Sequence, residues 1–253
     1  MGIDYSVRGH GEPVVLIHGL FGSRENLGAL AKLLSEQFKV YSIDLPNHGR
    51  SEHIDNFDLH SMAEAIKNWM QRVDLPQAHF VGHSLGGKAA MELALSHPEC
   101  VVKLAVADIA PVAYGHRHED VFAGLLAIDL ESISSRVEAD RILQQRVPEP
   151  AVRSFLLKNL QKTADGKFQW RMHVSAIHKH YADLIKANSE LCIDKPVLFL
   201  KAENSDYIKA EYKEAILKRF PKAELKVVSN TGHWLHAEKP DLVARLLTRF
   251  LLA

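Results

Sequence analysis

No stretch of this 253-residue chain approaches the roughly 18 consecutive apolar residues that a membrane-spanning helix needs, so no membrane span is expected. The start, Met1-Gly2-Ile3-Asp4-Tyr5, lacks the basic-then-apolar profile of a secretory signal, and a cytoplasmic location is the expectation. Neither sign of charge prevails. The 31 Lys and Arg balance the 31 Asp and Glu with no run of either, which excludes an electrostatic footprint for nucleic acid or anionic lipid. Cysteine is scarce: Cys100 and Cys192 lie far apart and in no ligand spacing, ruling out a disulfide framework and a thiolate zinc site. Histidine is plentiful at 15, yet the pairs His116/His118 and His178/His180 have no H-E-x-x-H or H-x-H-x-D-H context. Neither a metal nor another cofactor is therefore expected. A small neutral or weakly charged molecule is the expected partner, and oligomeric state is left open.

What is present reads as one ordinary folded unit. Short apolar runs bounded by turn residues alternate with amphipathic stretches, the pattern of a parallel sheet covered on both faces. The runs are Val14–Ile17, Val40–Ile43, His79–Val81, Leu104–Ala107, Pro196–Leu200 and Leu225–Val228. Helical periodicity fills Asn26–Phe38, Asp58–Val73, Ser84–Ser96, Ala210–Phe220 and Asp241–Leu252. Between Pro111 and Asp194 the alternation stops, and about eighty residues carry helical signals without a clear buried strand. The expected organisation is a core of residues 1–111 and 194–253 with a helical cap, 112–193, inserted.

The strongest chemical signal is Gly82-His83-Ser84-Leu85-Gly86, a G-x-S-x-G placed between an apolar strand and a helix. A strand that turns at once into a helix strains the backbone at the serine, and the flanking glycines remove side chains that would collide across the turn. Ser84 then projects as a nucleophile, with helix N–H groups facing any oxyanion that forms. A second donor segment, His18-Gly19-Leu20-Phe21-Gly22, directly follows the run Val14–Ile17. The oxyanion hole is accordingly assigned to the N–H groups of Leu20 and Leu85, with Phe21 as the alternative to Leu20. A serine hydroxyl needs a base. His233, in the turn Asn230-Thr231-Gly232-His233-Trp234 after the last apolar run, is the candidate, and His236 its competitor. For the acid that orients the imidazole, Asp108 and Asp206 both follow strand-like runs and both preserve the order Ser, acid, His; spacing does not choose between them. Asp44 precedes the nucleophile and reads as a loop-fixing residue.

With these segments assembled, together with Asn47-His48-Gly49, Asp108-Ile109-Ala110-Pro111, Asn204-Ser205 and Gly232 to Pro240, the chain resembles the α/β-hydrolase superfamily over nearly its whole length. Within it, the chain is most similar to small bacterial esterases of the YbfF type. The resemblance implies an α/β-hydrolase fold: a mostly parallel eight-stranded sheet with helices on both faces and an inserted helical cap. It implies cofactor-free cleavage of a small acyl ester or thioester. It also favours Asp108 as the acid, with Ser205 supporting it and Asp206 as the alternative acid. Carbon–carbon bond hydrolysis, acyl transfer, or a slow-turnover ligand sensor on the same fold are the rival readings.

Overall fold

The computed structural model describes residues 2–253. The chain runs through β1 (Tyr5–Arg8), β2 (Pro13–Ile17), α1 (Gly28–Leu34), β3 (Lys39–Ile43), α2 (Leu59–Arg72), β4 (Ala78–His83), α3 (Leu85–Ser96) and β5 (Val101–Ala107). Next come α4 (Glu119–Leu126), α5 (Arg136–Gln144), α6 (Pro150–Leu157), β6 (Leu160–Lys162), β7 (Phe168–Trp170), α7 (Val174–Lys179) and α8 (Tyr181–Leu184). The chain closes with β8 (Val197–Ala202), α9 (Lys213–Arg219), β9 (Ala223–Val228), α10 (Leu235–Glu238) and α11 (Pro240–Leu252).

Seven strands form the main sheet in the order β1-β3-β2-β4-β5-β8-β9, all parallel except β1, which runs antiparallel to β3. The expected eight strands are thus corrected to seven. Ahead of β2 there is one four-residue strand, and it pairs directly with β3 as the sheet edge. All four residues of β1 are exposed, and its alternation of Tyr5 and Val7 with Ser6 and Arg8 is too short to mark it out in the sequence. The expectation of buried strands also fails at β9, the opposite edge, where Leu225 and Val227 are exposed. A second correction concerns residues 112–193: β6 and β7 form an antiparallel hairpin there, so the segment is not purely helical.

Strand alternation sends side chains into two cores. From β2, Val15 and Ile17 join the core under α2 and α3, while Val14 and Leu16 join the one under α1 and α11. In α2 the apolar residues Leu59, Met62, Ala63, Ile66, Trp69 and Met70 recur at helical spacing on the buried side. Its start is fixed by a capping box: Asp58 Oδ1 accepts from Ser61 N–H at 2.7 Å, and Ser61 Oγ accepts from Asp58 N–H at 2.9 Å. By contrast α3 is buried almost all round, and its Gly and Ala residues let it lie close to the sheet.

This winding places the site. β2 is flanked by β3 on one side and β4 on the other, so the chain leaves β2 in one direction and returns from β3 across it to β4. The loops after β2 and β4 diverge, leaving a crevice at the carboxyl ends of the strands.

Candidate active site

Five of the described non-glycine residues just past the carboxyl ends of sheet strands take left-handed φ angles, and three of them stand at the site: Phe21 (59°), Ser84 (53°) and Asp108 (51°). Such backbone is sterically costly and clusters where function demands it. At Ser84 the turn from β4 into α3 leaves no room for side chains on either flank. A Cβ on Gly82 would overlap the Gly86 carbonyl, and one on Gly86 would run into the carbonyls of Ile17 and His18. Those contacts are with backbone that cannot yield, so glycine is required at both positions.

Ser84 and His233 line one cavity of about 100 Å³, together with Leu20, Phe21, His118, Val121, Val152, Phe155, Leu156 and Trp234. A smaller adjoining one, about 40 Å³, shares Ser84, Leu20 and His118 and adds Lys88, Tyr114, Arg117 and Tyr207. His233 Nδ1 donates to Asp108 Oδ2 at 2.8 Å. Asp108 is wholly buried and its other contacts are complete: Oδ1 accepts from Ala202 N–H at 3.0 Å, and Oδ2 accepts from the Ser205 hydroxyl. Asp206 is exposed and has no contact with His233. The fold therefore brings Ser84, His233, Asp108 and Ser205 together and leaves Asp206 outside.

His236 also lines this cavity, but it is buried and its Nδ1 has no hydrogen-bond partner among the described residues, whereas His233 Nδ1 is held by Asp108. Burial, and next the neighbouring His233, pull the pKa of His236 down to about 4. His83, inside the G-x-S-x-G segment, donates from Nε2 to the His233 carbonyl at 2.8 Å. Burial, then His236 and His233, hold His83 well below the usual imidazole range, so it stays a neutral donor to the His233 backbone. Tyr207 stacks on the His233 ring at 4.1 Å and 25°. The hydroxyl of Tyr114 accepts from Ala110 N–H at 2.8 Å and donates to the Tyr207 carbonyl at 2.5 Å, tying that ring's backbone to the Asp108 loop.

The loop after β2 is held by two buried histidines acting on backbone. His18 Nδ1 donates to the Gly19 carbonyl at 2.8 Å while its Nε2 accepts from Leu45 N–H at 3.0 Å. His48 Nδ1 donates to the Pro46 carbonyl at 3.0 Å and its Nε2 accepts from Phe21 N–H at 3.3 Å. Both rings must be neutral to accept, and burial enforces this, lowering the pKa of His18 and taking that of His48 down to about 3. His48 thus occupies the Phe21 N–H, while Leu20 lines the cavity beside Ser84. Asp44, fully buried, accepts from Arg24 N–H at 2.6 Å and Arg50 N–H at 2.9 Å, which makes it a loop-fixing group. Among the described residues no His, Cys, Asp and Glu side chains gather as a metal-binding group, and no helix is long and apolar enough to cross a membrane.

Sequence reasoning missed His48, His83, Tyr114, Asn159 and Tyr207 as contributors. His83 lies within the recognised segment and Tyr207 beside a candidate acid, so proximity was a signal for both. Asn159, far along the chain, gave none.

A mostly parallel sheet with a strained serine between strand and helix, and a histidine held by a buried carboxylate, defines the α/β-hydrolase class of protein. The chain belongs to that family: residues 14–246 match the alpha/beta hydrolase family. It is 37% identical over 240 residues to esterase YbfF of Escherichia coli, covering 94% of this chain and 92% of that one. It is 34% identical over 247 residues to the sn-1-specific diacylglycerol lipase ABHD11 of Mus musculus, covering 94% and 80%. Among solved structures, a marine microorganism esterase superposes with a TM-score of 0.95 at 36% identity, covering 98% of both chains.

Proposed function

We propose that the protein is a serine esterase that cleaves small acyl esters or thioesters through an acyl-enzyme. Relatives named as an esterase and as a diacylglycerol lipase support an ester as the substrate. Ser84 Oγ attacks the carbonyl carbon, and its proton passes to His233 Nε2; Nδ1–H stays on Asp108, which orients the ring and stabilises its cation. The N–H groups of Leu20 and Leu85 receive the carbonyl oxygen as it becomes an anion. His233 returns the proton to the leaving alcohol or thiol, and water, activated by the same base, releases the acid and frees Ser84.

The observation that carries this reading is the His233–Asp108 contact of 2.8 Å to a fully buried carboxylate, on the wall of the cavity that Ser84 enters. Residues 112–193 act in it as a cap over that cavity, supplying Val121, Val152, Phe155 and Leu156 to the lining. The test is steady-state turnover on p-nitrophenyl esters and acyl-CoAs of graded length. Wild-type turnover is expected, with a loss of about 10⁶ in Ser84→Ala and unchanged thermal unfolding. Most activity persisting in a folded Ser84→Ala variant, or none in the wild type, overturns the reading; a wild type that binds esters without cleaving them would be a sensor.

A further inference from the structure

Resting on the reading that Leu20 N–H is an oxyanion donor, we infer that Asn159 is a positioning residue that sets this donor by clamping Phe21 in its left-handed conformation. The argument starts from the peptide plane. A trans peptide points its N–H opposite its C=O, so the direction of Leu20 N–H is fixed by whatever holds the Gly19 carbonyl. That carbonyl accepts from His18 Nδ1 at 2.8 Å and from Gly22 N–H at 3.0 Å. The second of these closes a four-residue turn, Gly19 to Gly22, with Phe21 in its third place at φ 59°. A positive φ in that place ordinarily belongs to glycine or asparagine. A phenylalanine held there is out of its preferred backbone region, and without restraint the turn would relax and carry the Gly19 carbonyl with it.

The restraint comes from three directions. His48 Nε2 takes the Phe21 N–H at 3.3 Å. Asn159 Nδ2 donates to the Phe21 carbonyl at 2.7 Å. The Phe21 ring meets Phe122 edge-on at 5.1 Å and His118 at 5.8 Å. His48 belongs to the loop after β3, but Asn159, Phe122 and His118 all come from the segment between β5 and β8. Asn159 is itself fixed, buried at 3% exposure, with its carbonyl accepting from Arg171 N–H at 2.8 Å and its N–H donating to Leu156 at 3.0 Å. Only a side-chain amide reaches the Phe21 carbonyl here, so the segment that covers the site also completes it.

The experiment measures kcat, KM and inhibition by an alkyl trifluoromethyl ketone in Asn159→Ala and in Asn159→Leu, which keeps the side-chain volume and the backbone contacts but removes the donor. The ketone is attacked by Ser84 Oγ, the serine proton goes to His233, and the carbonyl oxygen becomes an oxyanion in the hole, so its affinity reports the hole directly. Loss of a whole oxyanion donor lowers turnover by about 10²–10³. A misaimed donor is expected to lower kcat roughly 10- to 100-fold and weaken the ketone by a similar factor, with KM within about threefold of wild type. If Asn159→Ala does not fold, Asn159→Leu alone decides. A folded variant with kcat within about threefold of wild type overturns the inference, and so does a loss confined to KM or one that leaves ketone affinity intact. Failure of the esterase reading is distinct, because it appears in the wild type and in Ser84→Ala before any Asn159 variant is made.

Discussion

Replacing Asp108 by asparagine perturbs one atom of a carboxylate whose contacts are all known. Oδ1 receives the Ala202 N–H, and Oδ2 is shared by His233 Nδ1 and the Ser205 hydroxyl. An amide must place its NH₂ in one of those two positions. If it takes the Oδ1 place, it sets a donor against the Ala202 N–H and forfeits a buried hydrogen bond, a cost of about 1–3 kcal/mol. If it takes the Oδ2 place, it presents a donor to His233 Nδ1. The imidazole then carries its proton on Nε2 and has nothing there with which to accept the proton of Ser84. The second arrangement keeps the fold and removes the base, and a histidine held in the wrong tautomer costs about 10⁴ in turnover, or about 5 kcal/mol of transition-state stabilisation. Asp206, exposed and away from His233, should change turnover less than about twofold as Asp206→Asn, within the half kcal/mol usual for surface substitutions. Ser205→Ala removes one hydrogen bond to the carboxylate, worth about 1 kcal/mol, and should cost somewhat under tenfold. Turnover of p-nitrophenyl butyrate by each variant, alongside thermal unfolding to establish that it is folded, ranks the three. A crippled Asp206→Asn with a mild Asp108→Asn would refute the reasoning, and so would a mild loss in both.

Phe155 lines the cavity and packs on Trp234 at 5.4 Å, whereas Trp170 does not reach it and Phe122 is buried behind Phe21. Phe155→Ala should therefore shift preference towards longer acyl chains while Trp170→Ala leaves the profile unchanged; a rate change uniform across chain lengths for Phe155→Ala would count against it. Acid should destabilise the fold. Burial holds His48, His118 and His236 near 3, 4 and 4, against 6.5 in the unfolded chain, so below pH 6.5 the unfolded state binds protons that the folded state refuses. Stability is lost as pH falls from 6.5 towards 4, by up to ~1.4 kcal/mol per pH unit for each histidine, and urea unfolding at pH 7 and pH 5 should differ accordingly. A flat profile would show that these rings are not held neutral.

Local pattern carried much of this protein. The apolar runs at Val14–Ile17, Val40–Ile43 and Leu104–Ala107 coincide with β2, β3 and β5 because a buried parallel strand must be apolar on both faces, and α2 was visible because its buried side repeats at helical spacing. The strained turn at Ser84 was legible for a similar reason: the tight passage from β4 to α3 demands glycine at 82 and 86, so backbone sterics write that serine's position into neighbouring residues. Of the two edge strands, β9 was visible as the run Leu225–Val228 although it is exposed along most of its length, while β1, four exposed residues, was too short to register.

The meeting of distant residues was decided only by tertiary structure. Asp108 and Asp206 each follow a strand, and nothing local separates them; burial does, because Asp108 turns in at φ 51° against Ala202 and His233 while Asp206 turns out to solvent. Likewise the Phe21 N–H is taken up by His48, 27 residues away, and the Phe21 carbonyl by Asn159, 138 residues away, because a hydrogen bond is directional and either satisfies a backbone group or leaves it free. Sequence specifies such contacts only through the fold that brings their partners within three ångströms or so.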